Sequence, residues 1–388
     1  MRPGIESLPR LVSSAAGVRI RRVRESSCQP AVVVEGRRLI SFASNDYLGL
    51  ATHPAVIEAW SAGARQWGVG SGGSTLLSGH TSAHSELEDA LADWLGRDRA
   101  LLFSNGYMAN LSILQSHCHR GQTIVQDRRN HASLYDAVRL TRGHLRRYVH
   151  GDVLDAARQL KRSAMATGAL LVTEGVFSMD GDQAPLAELA RVARAAGARF
   201  LVDDAHGIGL SGDEGQGTVG ACRLGQDDVP LLMATFGKAF GTYGAFVAGP
   251  AALIEILVQQ ARPFRYTTAL PPALAVATHE ALRRVIGEPE RRSRLHEQVD
   301  YFRRCARELD LPLASSSSPI QPVLIGSAEE AQMLSKALES RGIYAPAILP
   351  PTVPHGKARL RISLNASHSR SDLDHLLEAL SDLCRPRA

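Results

Sequence analysis

The sequence has no long hydrophobic run. Apolar stretches such as Leu170–Thr173 and Leu231–Thr235 fall far short of the roughly 20 residues that a membrane-spanning helix needs. The N-terminus also lacks the apolar core of a secretory signal peptide. Arginines alternate there with single apolar residues, which predicts a solvated helix over the first 24 residues. We therefore expect a protein that neither spans a membrane nor carries a targeting segment.

Cysteine is scarce and never forms a C-x-x-C pair. The sequence has five cysteines, an odd number, spread along the chain: Cys28, Cys118, Cys222, Cys305 and Cys384. This spacing argues against a disulfide framework and indicates reduced thiols in the cytoplasm. The segment His117–His119 has no second ligand pair at zinc spacing, so we expect no metal site.

Aromatic residues make up only 5% of the sequence, and they do not interleave with basic residues. The net charge is +5, but the basic residues are distributed, so we expect no nucleic-acid partner. Small anionic substrates explain the charge equally well. The composition of the 388 residues, 44% of them hydrophobic, is that of a globular protein with about two or three structural units.

From about residue 100, short apolar runs alternate with amphipathic stretches. The apolar runs predict these strands: Ala100–Ser104, Thr123–Gln126, Ala169–Thr173, Arg199–Asp203, Leu231–Thr235 and Ala245–Ala248. Between them, Leu186–Ala196 has apolar residues at helical spacing, and Gly197 is expected to end that helix. This alternation indicates an α/β fold with a mainly parallel sheet.

After Pro271 the pattern changes to longer helices and then to a mixed region. The pattern predicts four helices, at Leu274–Ile286, Arg291–Glu308, Glu329–Arg341 and Ser371–Cys384. It also predicts a strand at Arg359–Leu364 and a serine-rich loop at Ser315–Ser318. We therefore expect an N-terminal segment, a large domain and a smaller C-terminal α+β domain, spanning residues 1–50, 51–285 and 286–388.

Two predicted strands end in residues suited to catalysis, and ligands of α/β proteins bind at the carboxyl ends of strands. Lys238 follows one strand in a glycine-flanked loop, where its amine can approach an aldehyde. Asp203 ends another, where a carboxylate can keep a pyridine nitrogen protonated. His206 follows in the loop, from which it could donate a hydrogen bond to a phenolic oxygen of the same ring. A surface lysine and an ordinary ion pair are the structural alternatives.

Two further strands are followed by candidate ligand-binding residues. His131 can stack on a flat ring or contact a carboxylate, although a histidine that caps a helix has the same sequence signature. Gly106 opens a helix directly after a strand, where backbone amides and the helix dipole favour a phosphate. Any strand-to-helix turn shares this pattern, so the feature alone is not specific.

One glycine pattern favours a different class of enzyme. Gly207-x-Gly209-x-x-Gly212 matches the dinucleotide-binding fingerprint and follows a strand, which keeps a nicotinamide-dependent oxidoreductase as an alternative. The next residues are glycine-rich and polar instead of helical, contrary to that fingerprint. Gly237 and Lys238 lack the other residues of a P-loop, so nucleotide hydrolysis is not expected.

Together these residues resemble the α-oxoamine synthase family of fold type I pyridoxal 5′-phosphate (PLP) enzymes, from about Ser41 to the C-terminus. The matching motifs occur in the family's order: Asn45-Asp-Tyr-Leu-Gly-Leu50, Gly70-Ser-Gly-Gly-Ser74, Gly106-Tyr107, Asn130-His131, Glu174-Gly-Val-Phe-Ser-Met-Asp-Gly181, Asp203-Asp-Ala-His206, Thr235-Phe-Gly-Lys238, Tyr266-Thr-Thr-Ala-Leu-Pro-Pro272, Pro350-Pro-Thr-Val-Pro354 and Arg359-Leu-Arg361. The resemblance implies an aspartate aminotransferase-like α/β fold with a smaller α+β C-terminal domain.

The resemblance also implies roles for individual residues. The expected catalytic residues are Lys238, which would carry PLP as a Schiff base and act as a base, together with His131, Asp203 and His206. The expected cofactor contacts are Gly106, Tyr107, Ser178, Asp203, His206, Thr235 and Lys238, with Thr267 or Thr268 reaching the phosphate in the neighbouring subunit of an obligate homodimer. The expected substrate contacts are Arg21, Asn45, His131, Thr352 and Arg361.

The family's reaction is a decarboxylative condensation of an amino acid with an acyl thioester. The segments Tyr266–Pro272 and Pro350–Pro354 favour the member that joins L-alanine to a pimeloyl thioester, on CoA or an acyl carrier protein, in biotin synthesis. Thr75 and Leu349 stand where members often have basic residues, which leaves the acyl donor open. Glycine- and serine-using members, and a homologue that has lost catalysis, are the alternatives.

Overall fold

The computed structural model describes residues 21–163 and 168–384. These residues form two units, one made of the chain up to Ser44 and from Glu297 onward, the other of Asn45–His296. The domain limits expected near residues 50 and 285 stay predictions. The helix expected over the first 24 residues falls mainly on residues 1–20, outside the described residues.

The secondary structure alternates as the sequence predicts. In chain order the strands are β1 (Ala31–Val34), β2 (Arg37–Ser41), β3 (Arg99–Phe103), β4 (Thr123–Asp127), β5 (His144–Tyr148), β6 (Ala169–Glu174), β7 (Arg199–Asp203), β8 (Leu231–Thr235), β9 (Ala245–Gly249), β10 (Ile320–Gly326), β11 (Ile343–Tyr344), β12 (Ala347–Ile348) and β13 (Ala358–Ser363). The helices are α1 (Pro54–Trp67), α2 (Ser82–Leu95), α3 (Gly106–His117), α4 (Ala132–Thr141), α5 (Val153–Lys161), α6 (Leu186–Ala195), α7 (Gly217–Ala221), α8 (Ala251–Gln260), α9 (Arg262–Arg265), α10 (Pro272–Gly287), α11 (Pro289–Glu308), α12 (Ala328–Ser340) and α13 (Arg370–Cys384). In the described part of the chain, no helix has the length and apolarity needed to cross a bilayer.

The unit Asn45–His296 is built on a seven-stranded sheet with the order β3-β9-β8-β7-β6-β4-β5. Strand β9 runs antiparallel to both of its neighbours, and the other pairs are parallel. Strands β3, β4, β6, β7 and β8 therefore all end at the same edge of the sheet. The predicted α/β fold is confirmed, and this edge is where its ligand site is expected.

Both faces of this sheet are buried, which explains why its strands read as continuous apolar runs. Successive strand residues face opposite sides: Leu170 joins the cluster that includes α3, α4 and α8, whereas Leu171 joins the cluster that includes α5 and α6. Helix α6 ends as predicted. Gly197 adopts φ 61°, and the N–H of Ala198 donates to the carbonyl of Ala193 at 2.9 Å.

All the strands predicted between residues 100 and 248 are confirmed, with ends that differ by at most one residue. Strand β5 was not predicted. Its sequence is His-Leu-Arg-Arg-Tyr, and only Tyr148 is fully buried. Because β5 lies at the edge of the sheet, it needs no continuous apolar run, and the pattern that found the other strands is absent.

The other unit contains two small sheets. Strands β10 and β12 both pair with β13 in antiparallel fashion, and β1-β2 is an antiparallel pair joined in parallel by β11. Arg22 and Arg37 both form ion pairs with Glu339 of α12, at 2.6 and 2.7 Å. These long-range contacts tie the N-terminal strands to the C-terminal part of the chain. The predicted helices and strand of this region are confirmed within a residue or two at each end.

A half-buried histidine anchors the loop that follows β6. His150 Nδ1 lies 3.0 Å from an Asp127 oxygen at the end of β4, and Nε2 lies 2.6 Å from Asp182. Burial works to lower the pKa of His150, but hydrogen bonds with both carboxylates raise it to about 9. The protonated ring therefore joins two loops at the carboxyl edge of the sheet.

The raised pKa of His150 makes stability depend on pH. An unfolded histidine titrates near 6.5, so the stabilisation is fully present below pH 6.5 and is lost as pH rises through about 9. We expect His150→Gln to lower the free energy of unfolding most near pH 6, and that difference to shrink by about 1–2 kcal/mol by pH 10, a value discounted because water screens the partly exposed ring. Urea unfolding at both pH values measures it. His144→Gln, at an exposed histidine of β5, is the control. A pH-independent difference for His150→Gln would contradict the stabilisation by a protonated His150 bonded to Asp127 and Asp182.

Candidate active site

The carboxyl ends of β3, β4, β6, β7 and β8 meet around one cavity of about 200 Å³. Its lining combines most of the predicted cofactor residues with several others: Gly106, Tyr107, Asn110, His131, Ser133, Glu174, Asp203, Ala205, His206, Met233, Thr235 and Lys238. Residues far apart in the sequence thus meet because their strands are parallel and end at a common edge. The cavity is the candidate active site.

Lys238 is held by the tight connection between β8 and β9. The N–H of Phe236 donates to the carbonyl of Gly244 at 2.9 Å and closes the loop. Gly241 has φ 65°, and a Cβ there would lie 2.2 Å from the backbone nitrogen of Ala51. Only glycine fits that position, so the loop packs closely and holds the backbone of Lys238 at the cavity.

Asp203 presents a buried carboxylate that already has two hydrogen-bond donors. Asn110 Nδ2 donates to Oδ2 at 2.8 Å, and the N–H of Ala205 donates to Oδ1 at 3.1 Å. Asp203 is 5% exposed. Donors of this kind favour the charged form of a carboxyl group. The arrangement therefore offers a fixed negative charge to a ligand in the cavity.

Glu174 is a second buried carboxyl group, and it was not predicted as a site residue. It is 3% exposed and lies beside Asp203 in the register of β6 and β7. Among the described residues, its Oε1 has no hydrogen-bond partner. Burial and the charge of Asp203 raise its pKa well above the ordinary value, and Lys238 opposes them. The surroundings of Glu174 therefore favour its protonated form. It ends its strand as Asp203 does, and that signal could have identified it.

His206 is oriented by residues from the start of this unit. Its Nδ1 lies 2.8 Å from the hydroxyl of Tyr47, and that hydroxyl donates to Asn45 Oδ1 at 3.1 Å. The Tyr47 oxygen therefore accepts from Nδ1–H of His206. Asn45, predicted as a substrate contact, does not line the cavity itself but is linked to it through this chain of hydrogen bonds.

His131 has both of the positions that its sequence context predicts, at the start of a helix and at the cavity. It caps α4, since its Nδ1 accepts the N–H of Ser133 at 3.3 Å, and it also lines the cavity. Burial lowers the pKa of His131, Asp203 opposes that effect and Lys238 reinforces it. A neutral ring with Nδ1 as acceptor carries its proton on Nε2.

The start of α3 provides donors for an anion. The helix begins at Gly106, and the preceding Asn105 caps it by accepting the N–H of Met108 at 3.0 Å. Thr235, which ends β8, donates its hydroxyl to the carbonyl of Gly244 at 2.8 Å. Tyr107 donates to the carboxylate of Asp136. The first-turn N–H groups and the helix dipole favour a negatively charged group here.

Three predicted cofactor residues of this unit do not line the cavity. Ser178 lies in the turn that follows β6. Thr267 and Thr268 line a separate small cavity of about 20 Å³ together with Thr75. The hydroxyl of Thr267 donates to the carbonyl of Pro263 at 2.6 Å.

The remaining predicted substrate residues belong to the other unit. Arg361 of β13 is 7% exposed, and its Nη1 donates to Ser363 Oγ at 2.7 Å. Thr352 is exposed in a turn in which its N–H donates to the carbonyl of Leu349 at 3.0 Å. Arg21 is exposed at the start of the described residues.

The glycine pattern of the dinucleotide fingerprint has a packing explanation. A Cβ at Gly207 would lie 2.1 Å from Asp204 Oδ1, and one at Gly217 would lie 2.0 Å from Oδ2. Asp204 is fully buried and accepts from the N–H and the hydroxyl of Thr218, each at 2.7 Å. Residues 207–212 form turns instead of the start of a helix. Gly207, the first glycine of the pattern, thus makes room for Asp204, as does Gly217 farther along the chain. The oxidoreductase alternative loses its structural context.

Comparisons with known proteins agree with this geometry. The family model "Aminotransferase class I and II" matches residues 37–380. An 8-amino-7-oxononanoate synthase from Pseudomonas putida is 52% identical over 95% of this chain and 94% of its own length. One from Methylococcus capsulatus is 53% identical over 94% of each chain.

Solved structures give the same result. A serine palmitoyltransferase from S. paucimobilis with a bound PLP-myriocin aldimine has a TM-score of 0.91 at 31% identity, covering 96% of this chain and 94% of that one. An 8-amino-7-oxononanoate synthase from Francisella tularensis has a TM-score of 0.78 at 30% identity, covering 89% and 97%. The predicted resemblance is confirmed, and the chain belongs to the aminotransferase class I and II family as a relative of the 8-amino-7-oxononanoate synthases.

Proposed function

We propose that this chain is a PLP-dependent acyltransferase that condenses L-alanine with a pimeloyl thioester. The products are 8-amino-7-oxononanoate, CO2 and the free thiol, and the reaction belongs to biotin synthesis. The observation that carries the proposal is the 52% identity to an 8-amino-7-oxononanoate synthase along nearly the whole chain. The cavity at Lys238 supplies the chemistry that this reaction needs.

The residues around the cavity fit PLP. Lys238 offers the amine for its aldehyde, Asp203 the negative charge for its pyridine nitrogen, and the first turn of α3 the N–H groups for its phosphate. His206 and His131 would contact the phenolic oxygen and the ring face. When bound, PLP supplies the electron sink that allows a carbanion to form at the α-carbon of the amino acid.

Proton movements in this reaction fall to Lys238. Its Nζ takes the α-proton of alanine, and a carbon–carbon bond then forms between that α-carbon and the thioester carbonyl as the thiolate leaves. The alanine carboxyl group departs as CO2, and Nζ returns a proton to the same carbon. Glu174 stays neutral, so it adds no second negative charge beside Asp203.

Binding of the substrates is assigned to residues outside the lining of the cavity. We assign the alanine carboxylate to Arg361 and Asn45, and a contact with the acyl chain to Thr352. Arg21 is assigned to the thioester donor. The buried guanidinium of Arg361, only 7% exposed, supports a role in binding a carboxylate.

We also propose that the enzyme is a homodimer with shared active sites. Val69 and Leu77, in the segment between α1 and α2, are 89% and 88% exposed, as expected of residues that a second subunit covers. Thr267 and Thr268 line a cavity of their own beside Thr75. Their position supports the view that they serve the cofactor phosphate of the neighbouring subunit.

The scattered cysteines support a cytoplasmic location for this enzyme. They are five in number and form no C-x-x-C pair. Such a set of thiols suits a reducing compartment. The substrates of the proposed reaction are an amino acid and an acyl thioester. The expected partners are therefore a second copy of the chain and the acyl donor.

Lys238→Ala should lower turnover by at least about a thousandfold, because it removes both the cofactor anchor and the base. Borohydride reduction of the wild-type holoenzyme should bleach its visible absorbance and leave a pyridoxyl mass on the peptide with Lys238. The matched control is Lys336→Ala, at an exposed lysine of α12, which should keep both activity and label. Steady-state turnover by Lys238→Ala, or a label elsewhere, would refute the assignment.

The two neighbouring carboxyl groups should respond differently when each is replaced by the corresponding amide. Asp203→Asn removes a required charge, and we expect kcat to fall by about a hundredfold or more and the visible absorbance of bound PLP to change. Glu174→Gln replaces a protonated carboxyl group by an amide of equal shape and charge. We expect its kcat to stay within about threefold of wild type. Equal losses in both variants would show that Glu174 works as an anion.

Substrate preference tests the reaction itself. Release of free thiol should be measured with alanine, glycine and serine, each against pimeloyl-CoA and shorter and longer acyl-CoA donors. We expect alanine with pimeloyl-CoA to have the highest kcat/KM, by about tenfold or more, because one methyl or hydroxyl group changes binding by about this amount. A preference for glycine, for serine or for a short acyl group would overturn the assignment to biotin synthesis.

A further inference from the structure

The glycine-rich stretch between α1 and α2 carries a family motif but lies apart from the lining of the active-site cavity. We call Gly70–Gly79 the glycine segment, and Tyr266–Leu270, which follows α9, the threonine segment. The threonine segment carries Thr267 and Thr268, to which the proposed function assigns the cofactor phosphate of the partner subunit. Ser74 of the glycine segment forms an antiparallel bridge with Thr268. The two segments are therefore direct neighbours.

Further contacts fix the backbone of the threonine segment against the glycine segment. The N–H of Ala269 donates to the carbonyl of Gly73 at 2.9 Å. The hydroxyl of Ser71 donates to the carbonyl of Ala269, also at 2.9 Å. A Cβ at Gly79 would lie 2.7 Å from the Cβ of Ala269, so this close packing requires glycine. Both polar groups of the Ala269 backbone are thus bonded to the glycine segment.

A buried histidine of α2 provides another contact to the threonine segment. His84 lies in the first turn of α2 and is 3% exposed. Its Nδ1 accepts the N–H of Thr81 at 3.1 Å, so the ring carries its proton on Nε2. Nε2 donates that proton to the carbonyl of Leu270 at 2.7 Å. Burial lowers the pKa of His84, which favours this neutral form.

Helix α2 is a rigid base for this contact. Leu87 and Leu91 of the same helix are fully buried. His84 also lines the small cavity of about 20 Å³ that Thr267 and Thr268 line. A hydrogen-bond donor on a well-packed helix therefore holds the backbone that carries the two threonines.

The same region exposes large apolar side chains. Val69, which precedes the glycine segment, is 89% exposed, Leu77 within it is 88% exposed, and Tyr266 of the threonine segment is 63% exposed. Apolar groups exposed together mark a surface that another protein covers. The proposed homodimer supplies a second copy of the chain as that protein. The threonine segment would then lie at the subunit interface.

We infer that His84 is a positioning residue for the cofactor site of the partner subunit. Acting through Leu270, it holds the threonine segment in the conformation in which Thr267 and Thr268 reach the phosphate of the cofactor bound to the partner. Ser71 supports the same segment with its hydroxyl. This inference rests on the proposed function and adds two residues that act through the backbone instead of on the cofactor.

Two substitutions of His84 separate this role from capping of α2. His84→Gln can keep a donor near the place of Nε2, whereas His84→Asn can keep only an acceptor near the place of Nδ1. We expect the affinity of the enzyme for PLP to fall by about tenfold in His84→Asn and by less than about threefold in His84→Gln. The visible absorbance of the Schiff base on Lys238 measures it. The reverse order would show that His84 acts only as a cap and would overturn the inference.

Mixed dimers show on which subunit His84 acts. In the first, one chain carries Lys238→Ala and the other His84→Asn, so the only Schiff-base lysine shares a chain with the substituted histidine. We expect its affinity for PLP to equal, within about twofold, that of a dimer of wild type and Lys238→Ala, because the intact His84 comes from the other chain. In the second, wild type is paired with Lys238→Ala/His84→Asn. Its affinity should be as weak as that of the His84→Asn homodimer.

The opposite result in the two mixed dimers, equal affinities in both, or a monomeric enzyme would each overturn the inference. The matched control is His80→Asn, at an exposed histidine whose Nε2 lies 3.0 Å from Ser85 Oγ of α2. It should bind PLP within about twofold of wild type.

Ser71→Ala provides a second test at a half-buried position, where the substitution leaves the fold intact. We expect PLP affinity to fall by about threefold, with the same dependence on the partner chain in mixed dimers. Unchanged affinity in both His84→Asn and Ser71→Ala would contradict the inference.

Cofactor binding and turnover distinguish this inference from the proposed function. If wild type forms the Schiff base on Lys238 but releases no thiol from alanine and pimeloyl-CoA, the proposed reaction fails. The mixed dimers still decide the role of His84 in that case. If wild type binds no PLP, both the proposed function and the inference fail.

Discussion

Two carboxyl groups that end neighbouring parallel strands are buried side by side, so each disfavours a negative charge on the other. Asn110 and the backbone of Ala205 donate hydrogen bonds to Asp203. Glu174 keeps its proton because burial and the charge of Asp203 both disfavour its ionisation. The rest of the site is arranged around this single fixed charge, with Lys238 and the two histidines at the same cavity.

The sheet explains why this arrangement arises from residues so far apart in the chain. Six of the seven strands run in one direction and end at one edge, and five of them contribute the residues that follow their last apolar position. That rule is visible in sequence and found Lys238, Asp203, His206 and His131. It also applies to Glu174, which ends β6, although its importance depends on the neighbour that the register gives it.

Features with no periodic pattern escaped prediction. Asn110 lies in the middle of α3, where nothing in the sequence distinguishes it from other polar helix residues. The sequence of strand β5 is too polar to predict a strand. The strand lies at the edge of the sheet, where most of its side chains are exposed. His150 acts through Asp127, at the end of β4, and Asp182, in the loop that follows β6. Such contacts are set by the tertiary structure, and only a model of the fold reveals them.

The glycines packed around Asp204 have a consequence for how the site can vary. Gly175, Gly207 and Gly217 leave no space for a side chain, since a Cβ at any of them would lie within 2.3 Å of Asp204 or Thr218. Asp204 is the residue next to Asp203, so a larger residue at these places would displace the backbone that carries the catalytic charge. The tolerance for mutation is therefore low behind the catalytic residues, at positions that do not line the cavity.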